Sequence, residues 1–241
     1  IIYEDADFDI NRYDKAGVVG VNGAGKTTAL ECMEGLRSYD GGTIVTKGKT
    51  GIQLQSASLP AHIKPLEAVT LFSKWKKTKA ESSMLAALGI QELEKKQYFQ
   101  LSTGQKRRLH LALALVGNPD IIFLDEPTAG LDVEGRLALH NQIRNLKAQG
   151  KTIVLASHDM AEVEALCDRI AIIKGGRLVK MGTTASVVGD ESLEQVFLEL
   201  AQEGVIDGVE RYHPRVKATD IPAIEQVASR YDLIVTGGTD F

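Results

Sequence analysis

The chain has 241 residues, of which 44% are hydrophobic and 25% are charged, and this balance predicts one large folded domain or one domain with a small appendage. A formal net charge of −4 gives no reason to expect nucleic acid as the main partner, so we expect no nucleic-acid partner. The two cysteines, Cys32 and Cys167, are far apart in the sequence and predict reduced thiols of a cytosolic protein rather than a disulfide framework.

Short runs rich in valine, isoleucine and leucine alternate with helical stretches along the chain. The predicted strands are, in order, KAGVVGV, DIIFLDE, KTIVLAS, RIAIIKGGRLV and YDLIVTGG. Continuous apolar runs of this kind are typical of strands that are buried on both faces of a parallel sheet. The alternation therefore predicts an α/β fold with a mostly parallel sheet.

A glycine-rich loop follows the first strand and opens a predicted helix. Its sequence, GVNGAGKTT, fits the phosphate-binding pattern G-x-x-x-x-G-K-[ST]. Glycines allow backbone N–H groups to turn towards a phosphate, and the start of a helix favours an anion. Lys26 would neutralise the β- and γ-phosphate oxygens, while the Thr27 hydroxyl would bind Mg²⁺. The predicted nucleotide-binding residues of this loop are Gly20, Asn22, Gly23, Ala24, Gly25, Lys26, Thr27 and Thr28.

The middle of the chain is predicted to be helical. Residues 66–97 are rich in lysine, glutamate, alanine and leucine, which predicts a helical insert standing apart from the sheet. The segment LSTGQKRRLHLALALV then predicts a long helix that begins with a capping box, with Ser102 at the N-cap and Gln105 at N3. Taken alone, capping explains this segment without any ligand. In a later helix, Leu137, Ile143 and Leu146 are expected to share approximately one face, through Leu139 and His140.

The strand DIIFLDE ends in two acidic residues next to a proline. Asp125 would hold Mg²⁺ beside the glycine-rich loop. Pro127 favours extended backbone at Glu126, which would direct that carboxylate towards a water as a general base. His158 follows the strand KTIVLAS, where a lone histidine has either a structural role or a catalytic one.

Taken together, these segments resemble the ATP-binding cassette (ABC) family. The matching motifs are the glycine-rich P-loop, the signature loop LSTGQ, the acidic junction FLDEPTAGLD and the SHD segment. The usual signature is LSGGQ, so the chain departs from it at Thr103. The resemblance implies a P-loop NTPase domain over residues 1–200, with an antiparallel β edge and a helical signature subdomain at about residues 60–118.

The resemblance also implies that the protein is an ATPase that uses Mg²⁺ and works as a pair of ATP-binding domains packed head to tail. Ser102, Gly104 and Gln105 would contact the ATP that is held by a partner copy. Asp132 would lie at the joint between the copies. The likeness further implies that His158 contacts the γ-phosphate and joins Glu126 and Lys26 in the catalytic set. Gln55 matches the glutamine that reaches Mg²⁺ and the attacking water, with Gln53 as the alternative register.

The segment GKTIVLASHDMAEVEALCDRIAIIKGGRLVKMGT is similar to the ATPase subunits of ABC-2 type exporters. This likeness implies a homodimer that couples ATP hydrolysis to transport through an integral membrane permease. The permease would dock beside the helical insert, so the protein is expected at the inner face of the cell membrane, on the cytoplasmic side. Two other functions stay open: a nucleotide-dependent binding switch with little turnover, and a soluble ABC ATPase that is not a transporter subunit.

Three features depart from the family pattern. The aromatic residue that stacks on adenine would precede Ile1, which leaves Tyr3, Phe8 and Tyr13 as candidate substitutes. The segment GGTIVTKGKTGIQLQ is short, and either a compact hairpin or omitted residues would explain its length. Residues 201–241 resemble the last part of PHP-type metallophosphoesterases but lack the His-x-His metal motif, and they predict a βαβ appendage without phosphoesterase activity.

Overall fold

The computed structural model describes residues 9–20, 22–53, 58–202, 208–210 and 234–236. Within these ranges six strands form the main sheet, namely β1 (Lys15–Val19), β2 (Thr50–Gln53), β3 (Ile121–Asp125), β4 (Thr152–Ser157), β5 (Arg169–Lys174) and β6 (Arg177–Thr183). Their order across the sheet is β2-β3-β4-β1-β5-β6. Neighbouring strands are parallel except β5 and β6, which form an antiparallel edge. The predicted α/β fold is confirmed.

The helices lie between and around these strands. They are α1 (Lys26–Met33), α2 (Pro65–Trp75), α3 (Ser82–Ala87), α4 (Thr103–Leu115), α5 (Val133–Ala148), α6 (Met160–Leu166), α7 (Thr184–Val188) and α8 (Leu193–Gln202), with 3₁₀ turns at Gln91–Leu93 and Tyr98–Gln100. No helix in the described part of the chain is both long and apolar enough to cross a bilayer.

The sheet separates two layers of apolar side chains. In β4, Ile153 and Leu155 pack into the larger cluster with α4, α5 and α6, whereas Val154 and Ala156 pack on the opposite face with α1. Both faces of the strand are therefore buried, which is why its sequence is apolar throughout rather than alternating. Cys167 is buried in the larger layer, and Cys32 and Cys167 are free thiols.

The helical region reaches the sheet through α4. Helix α2 packs against α4, and α4 packs against β2. Gly51 of β2 shows how close this second contact is, because a Cβ atom at that position would lie 2.3 Å from the carbonyl oxygen of Ala114. The insert α2 thus rests on another helix rather than on the sheet itself.

Two predictions about local structure are wrong. Leu137 is 58% exposed, while Leu139, Ile143 and Leu146 form the buried face of α5. Leu137 lies two residues from Leu139, and two residues rotate a side chain to the other side of a helix. Residues 38–49, which connect α1 to β2, contain no strand, so no compact hairpin is formed there.

The C-terminal tail (residues 201–241) is described at two short strands. These are β7 (Gly208–Glu210) and β8 (Ile234–Thr236), which pair in parallel. They agree with the two strands of the βαβ unit that the sequence predicts for this tail, and β8 lies within the predicted strand YDLIVTGG. The helix predicted between them lies outside the described residues.

Three strand ends meet at one edge of the sheet. Val19 pairs with Ser157, and Asp125 pairs with Ala156, so the carboxyl ends of β1, β3 and β4 are level with one another. Loops that follow parallel strands emerge at this edge, where open α/β sheets bind their ligands. The P-loop, the two carboxylates and His158 all follow these three ends.

Candidate functional site

The P-loop turns sharply between β1 and α1. Gly20 has no room for a side chain, because a Cβ atom there would lie 2.4 Å from the carbonyl oxygen of Ile173. Gly25 takes a left-handed φ of 106° immediately before α1 begins. Lys26 is buried, and its Nζ donates a 2.8 Å hydrogen bond to the carbonyl oxygen of Gly20.

The N-cap of α1 is Gly25, which has no side chain to cap the helix, and the first turn carries no acidic residue. Its N–H groups are therefore suited to an external anion, which the positive end of the helix also attracts. In the same loop Asn22 and Gly23 are exposed, Ala24 is buried, and Thr27 and Thr28 are half-buried. The arrangement fits the phosphate-binding role that the sequence predicts for this loop.

Asp125 lies at the end of β3 with both carboxylate oxygens buried and without a hydrogen bond of normal geometry. Burial raises the pKa of Asp125, and the side chain of Thr27 lies close enough to oppose that rise. A buried carboxylate beside a hydroxyl supplies the oxygen donors that Mg²⁺ prefers. These two side chains fit a magnesium ion, whose charge would offset the cost of burying Asp125.

Glu126 adopts a left-handed backbone with φ 46°, so the prediction of an extended backbone before Pro127 is wrong. Tertiary hydrogen bonds explain the difference. The Glu126 N–H donates to the carbonyl oxygen of Ala156 at 2.9 Å, and its own carbonyl accepts from Ala129 N–H at 3.2 Å. Non-glycine residues take this conformation when their surroundings impose it, most often at functional sites.

The turn at Glu126 brings three predicted catalytic side chains together. One carboxylate oxygen of Glu126 lies 3.9 Å from Lys26 Nζ. The other lies 2.8 Å from His158 Nδ1. Glu126 is buried, and His158 is half-buried. A carboxylate held between a cation and an imidazole is fixed in one position, from which it could accept a proton from a bound water.

The signature loop forms the predicted capping box at the start of α4. Ser102 Oγ accepts from the Gln105 N–H at 3.3 Å, and Gln105 Oε1 accepts from the Ser102 N–H at 3.2 Å. Ser102 and Thr103 are exposed, so the loop is open to a second molecule. A Cβ atom at Gly104 would lie 3.7 Å from Leu131 Cδ2, which places the loop against the segment that leads into α5.

Asp132 is exposed at the start of α5. Its carboxylate accepts a 2.8 Å hydrogen bond from the Gly135 N–H and so caps the helix. Asp132 therefore lies at the surface, directly after Leu131, against whose side chain the signature loop lies.

Two glutamines were candidates for one role. Gln53 is the last residue of β2, is 1% exposed, and has neither amide atom in a hydrogen bond. Side chains alternate along a strand, so Gln53 faces the same side as Gly51, towards α4. That face is opposite to the one on which α1 lies, so Gln53 does not line the P-loop. Gln55 lies outside the described residues.

Tyr13 cannot replace the adenine-stacking aromatic. Its N–H donates to Thr152 Oγ1 at 2.8 Å, and Thr152 begins β4. Tyr13 therefore lies at the amino edge of the sheet, whereas the P-loop lies at the carboxyl edge. Tyr3 and Phe8 lie outside the described residues.

The buried carboxylate of Glu162, near this site, was not predicted from the sequence. Glu162 is 2% exposed and bonds to side chains from three other elements. Its position three residues after Asp159 suggests only a capping box, and the Glu162 N–H does donate to Asp159 Oδ1 at 3.0 Å. His140 and Thr128, which the Glu162 side chain contacts, are 22 and 34 residues away in the sequence.

The model of the ABC transporter family matches residues 3–129 of this chain. Nod factor export ATP-binding protein I of Burkholderia orbicola is 37% identical over 193 residues, which cover 73% of this chain and 64% of that protein. The corresponding protein of Burkholderia thailandensis is 34% identical over 79% of this chain and 69% of its own length. The chain thus spans about two thirds of these curated relatives.

Solved structures give the same picture of the fold. A chain from an ABC transporter assigned to the metal-chelate type, in an inward-facing conformation, superposes with a TM-score of 0.72 at 26% identity, over 81% of this chain and 82% of its own. The ATP-binding subunit of another ABC transporter superposes with a TM-score of 0.73 at 23% identity, over 83% and 92% of the two chains. The second likeness concerns the fold alone.

Proposed function

This chain belongs to the ABC transporter family of ATP-binding domains, and on that premise we propose that it binds and hydrolyses ATP to drive an export machine. The contact of Glu126 with both Lys26 and His158 is the single observation that carries the proposal. It joins a phosphate-binding lysine, a base and an imidazole at the carboxyl ends of three neighbouring strands.

Binding of ATP would rest on the P-loop. The N–H groups at the start of α1 would hold the β- and γ-phosphates, and Lys26 would exchange its hydrogen bond to Gly20 for the phosphate oxygens. Thr27 and Asp125 would hold Mg²⁺ at the same phosphates. When bound, this ion supplies positive charge that neutralises the triphosphate.

Hydrolysis would start at Glu126. Its carboxylate takes a proton from a water whose oxygen bonds to the γ-phosphorus, while the bond to the β–γ bridging oxygen breaks and ADP leaves. His158, at 2.8 Å from Glu126, would hold the carboxylate in place and reach the γ-phosphate on its other side. Lys26 would stabilise the negative charge that builds up on the phosphate oxygens.

A second copy of the chain would complete each ATP site. Ser102, Gly104 and Gln105 lie at the exposed start of α4, where helix N–H groups favour an anion. We propose that they bind the γ-phosphate of the ATP on the partner copy, with Asp132 at the joint and Gln55 near Mg²⁺. ATP would then hold the copies together, and hydrolysis would release them.

The membrane partner is proposed from the relatives. Those of Burkholderia are named as export ATP-binding proteins, and we propose an ABC-2 type exporter with an integral membrane permease. Leu71, Trp75 and Phe99 of the helical region are 55%, 74% and 54% exposed, and they offer an apolar surface to such a permease. The chain would then lie on the cytoplasmic face of the membrane, with residues 201–241 as an appendage to the ATP-binding domain.

The replacement Glu126→Gln tests the proposed base. We expect the purified chain to release phosphate from ATP in the presence of Mg²⁺, and the variant to lose about 100-fold or more in kcat, because an amide cannot accept the proton. Nucleotide affinity should stay within about threefold, since the side chain keeps its size.

Glu134→Gln is the matched control, because Glu134 is an exposed carboxylate in the first turn of α5. Its turnover should equal that of the wild type. Unchanged turnover in Glu126→Gln would refute the assignment of the base. A wild-type chain that binds ATP but releases no phosphate would instead favour a binding switch.

A further inference from the structure

The buried carboxylate of Glu162 joins three elements around the catalytic edge. One of its oxygens, Oε2, accepts hydrogen bonds from Thr128 Oγ1 at 3.0 Å and from Ser157 Oγ at 2.8 Å. The other, Oε1, lies 3.1 Å from His140 Nε2 of α5. A carboxylate that is 2% exposed is costly unless such partners satisfy it, so this network is specific rather than incidental.

Each of the two hydroxyl donors is close in sequence to one of the two catalytic residues that are in contact. Thr128 lies two residues after Glu126, and Ser157 lies immediately before His158. The same Ser157 Oγ accepts from the Asp159 N–H at 3.1 Å, so backbone on both sides of His158 is held. A single oxygen of Glu162 thus fixes the loop of Glu126 and the loop of His158 relative to one another.

We propose that Glu162 is a positioning residue that sets the contact between His158 and Glu126, an inference that rests on the proposed hydrolysis of ATP. Glu162 does not touch the reacting atoms. It holds the two loops so that His158 Nδ1 stays 2.8 Å from the catalytic carboxylate. Small displacements of groups that must align for reaction reduce turnover strongly.

The same network reaches the segment that leads to the proposed joint between copies. His140 belongs to α5, which Asp132 caps, and Arg136 of α5 donates to Asp159 Oδ2 at 3.3 Å. A movement of α5 would therefore act on both neighbours of His158, on Ser157 through Glu162 and on Asp159 through Arg136.

The test compares Glu162→Ala with Glu162→Gln in the full chain. Alanine removes both acceptors, and kcat should fall about 10- to 100-fold while the KM for ATP stays within about twofold. Glutamine keeps an oxygen towards the two hydroxyls and an amide towards His140, so it should restore kcat to within about threefold of the wild type.

A second readout separates positioning from general stability. In a His158→Ala background, Glu162→Ala should lower kcat by a clearly smaller factor than in the wild type, because the contact that Glu162 sets between His158 and Glu126 is already lost. Glu164→Ala is the matched control: its carboxylate, also on α6, accepts a 2.8 Å hydrogen bond from the Leu193 N–H, and its loss should leave kcat unchanged.

If Glu162→Ala does not fold, Ser157→Ala and Thr128→Val answer the same question, and each should lower kcat about 3- to 10-fold at unchanged KM. The inference is overturned if the wild type hydrolyses ATP and these variants keep its kcat, or if Glu162→Ala is equally harmful without His158. A wild type without ATP hydrolysis would overturn the proposed function instead.

Discussion

Glu34, just after α1, shows how burial changes a single side chain near the site. Burial raises the pKa of this carboxyl to about 8, and the negative charges of Asp125 and Glu31 add to the rise. One of its oxygens, Oε2, is buried without a hydrogen bond. The folded protein therefore holds a proton on Glu34 that an unfolded chain would lose near the ordinary carboxyl pKa.

The raised pKa of Glu34 predicts that the folded protein becomes less stable as the pH rises. Because the folded state binds the proton more tightly, the wild type loses stability as the pH rises from the ordinary carboxyl pKa to about 8. Glu34→Gln removes this loss of stability. Without nucleotide and Mg²⁺, the variant should therefore melt about 2–4 °C above the wild type near pH 8. Near pH 4.5 the two chains should melt at about the same temperature.

Thermal unfolding of both chains between these pH values measures the difference. Glu134→Gln, at an exposed position, should show no such pH-dependent gap. A gap that is equal at every pH, or that narrows towards pH 8, would show that Glu34 ionises normally in the folded protein.

At the scale of elements, strand β2 contains a polar group that its packing does not satisfy. Gln53 is 1% exposed, and both amide atoms lack a hydrogen bond. An amide in this state costs about 1–3 kcal/mol. Gln53→Met keeps the length of the side chain without the polar atoms, and it should raise the melting temperature by about 2–6 °C.

The matched variant Gln53→Glu places a charge at the same buried position and should lower the melting temperature. Calorimetry of the three chains distinguishes the outcomes. Equal melting temperatures for the wild type and Gln53→Met would mean that the amide is already satisfied, for example by a buried water.

The elements themselves were predictable because their sequence signals are local. Strands β1, β3, β4 and β5 consist of apolar runs, the P-loop has a fixed spacing, and the capping box at Ser102 and Gln105 spans only four residues. Strand β2 has no such apolar run and was not predicted. The prediction from neighbouring residues was wrong at Glu126. There a hydrogen bond to Ala156 of β4 and a turn closed by Ala129 override the extended backbone that Pro127 favours. Glu162 was missed for a similar reason, since its role depends on partners that are remote in sequence.

At the scale of the whole molecule, two helix starts are candidates to bind the same anion. They are the start of α1 in the P-loop, where the N-cap is a glycine, and the exposed start of α4 in the signature loop. Two copies arranged head to tail would bring one of each to the same triphosphate. We propose that ATP itself joins the copies, and that hydrolysis by Glu126 is needed to separate them.

The most direct measurement is the mass of Glu126→Gln in solution by light scattering, at saturating ATP and Mg²⁺ and again with ADP. The variant binds ATP without consuming it, so the account predicts twice the chain mass of 26.1 kDa with ATP and the single mass with ADP. Lys26→Ala added to this variant should abolish the pair. A mass of 26.1 kDa in ATP, with nucleotide shown to be bound, would contradict the account.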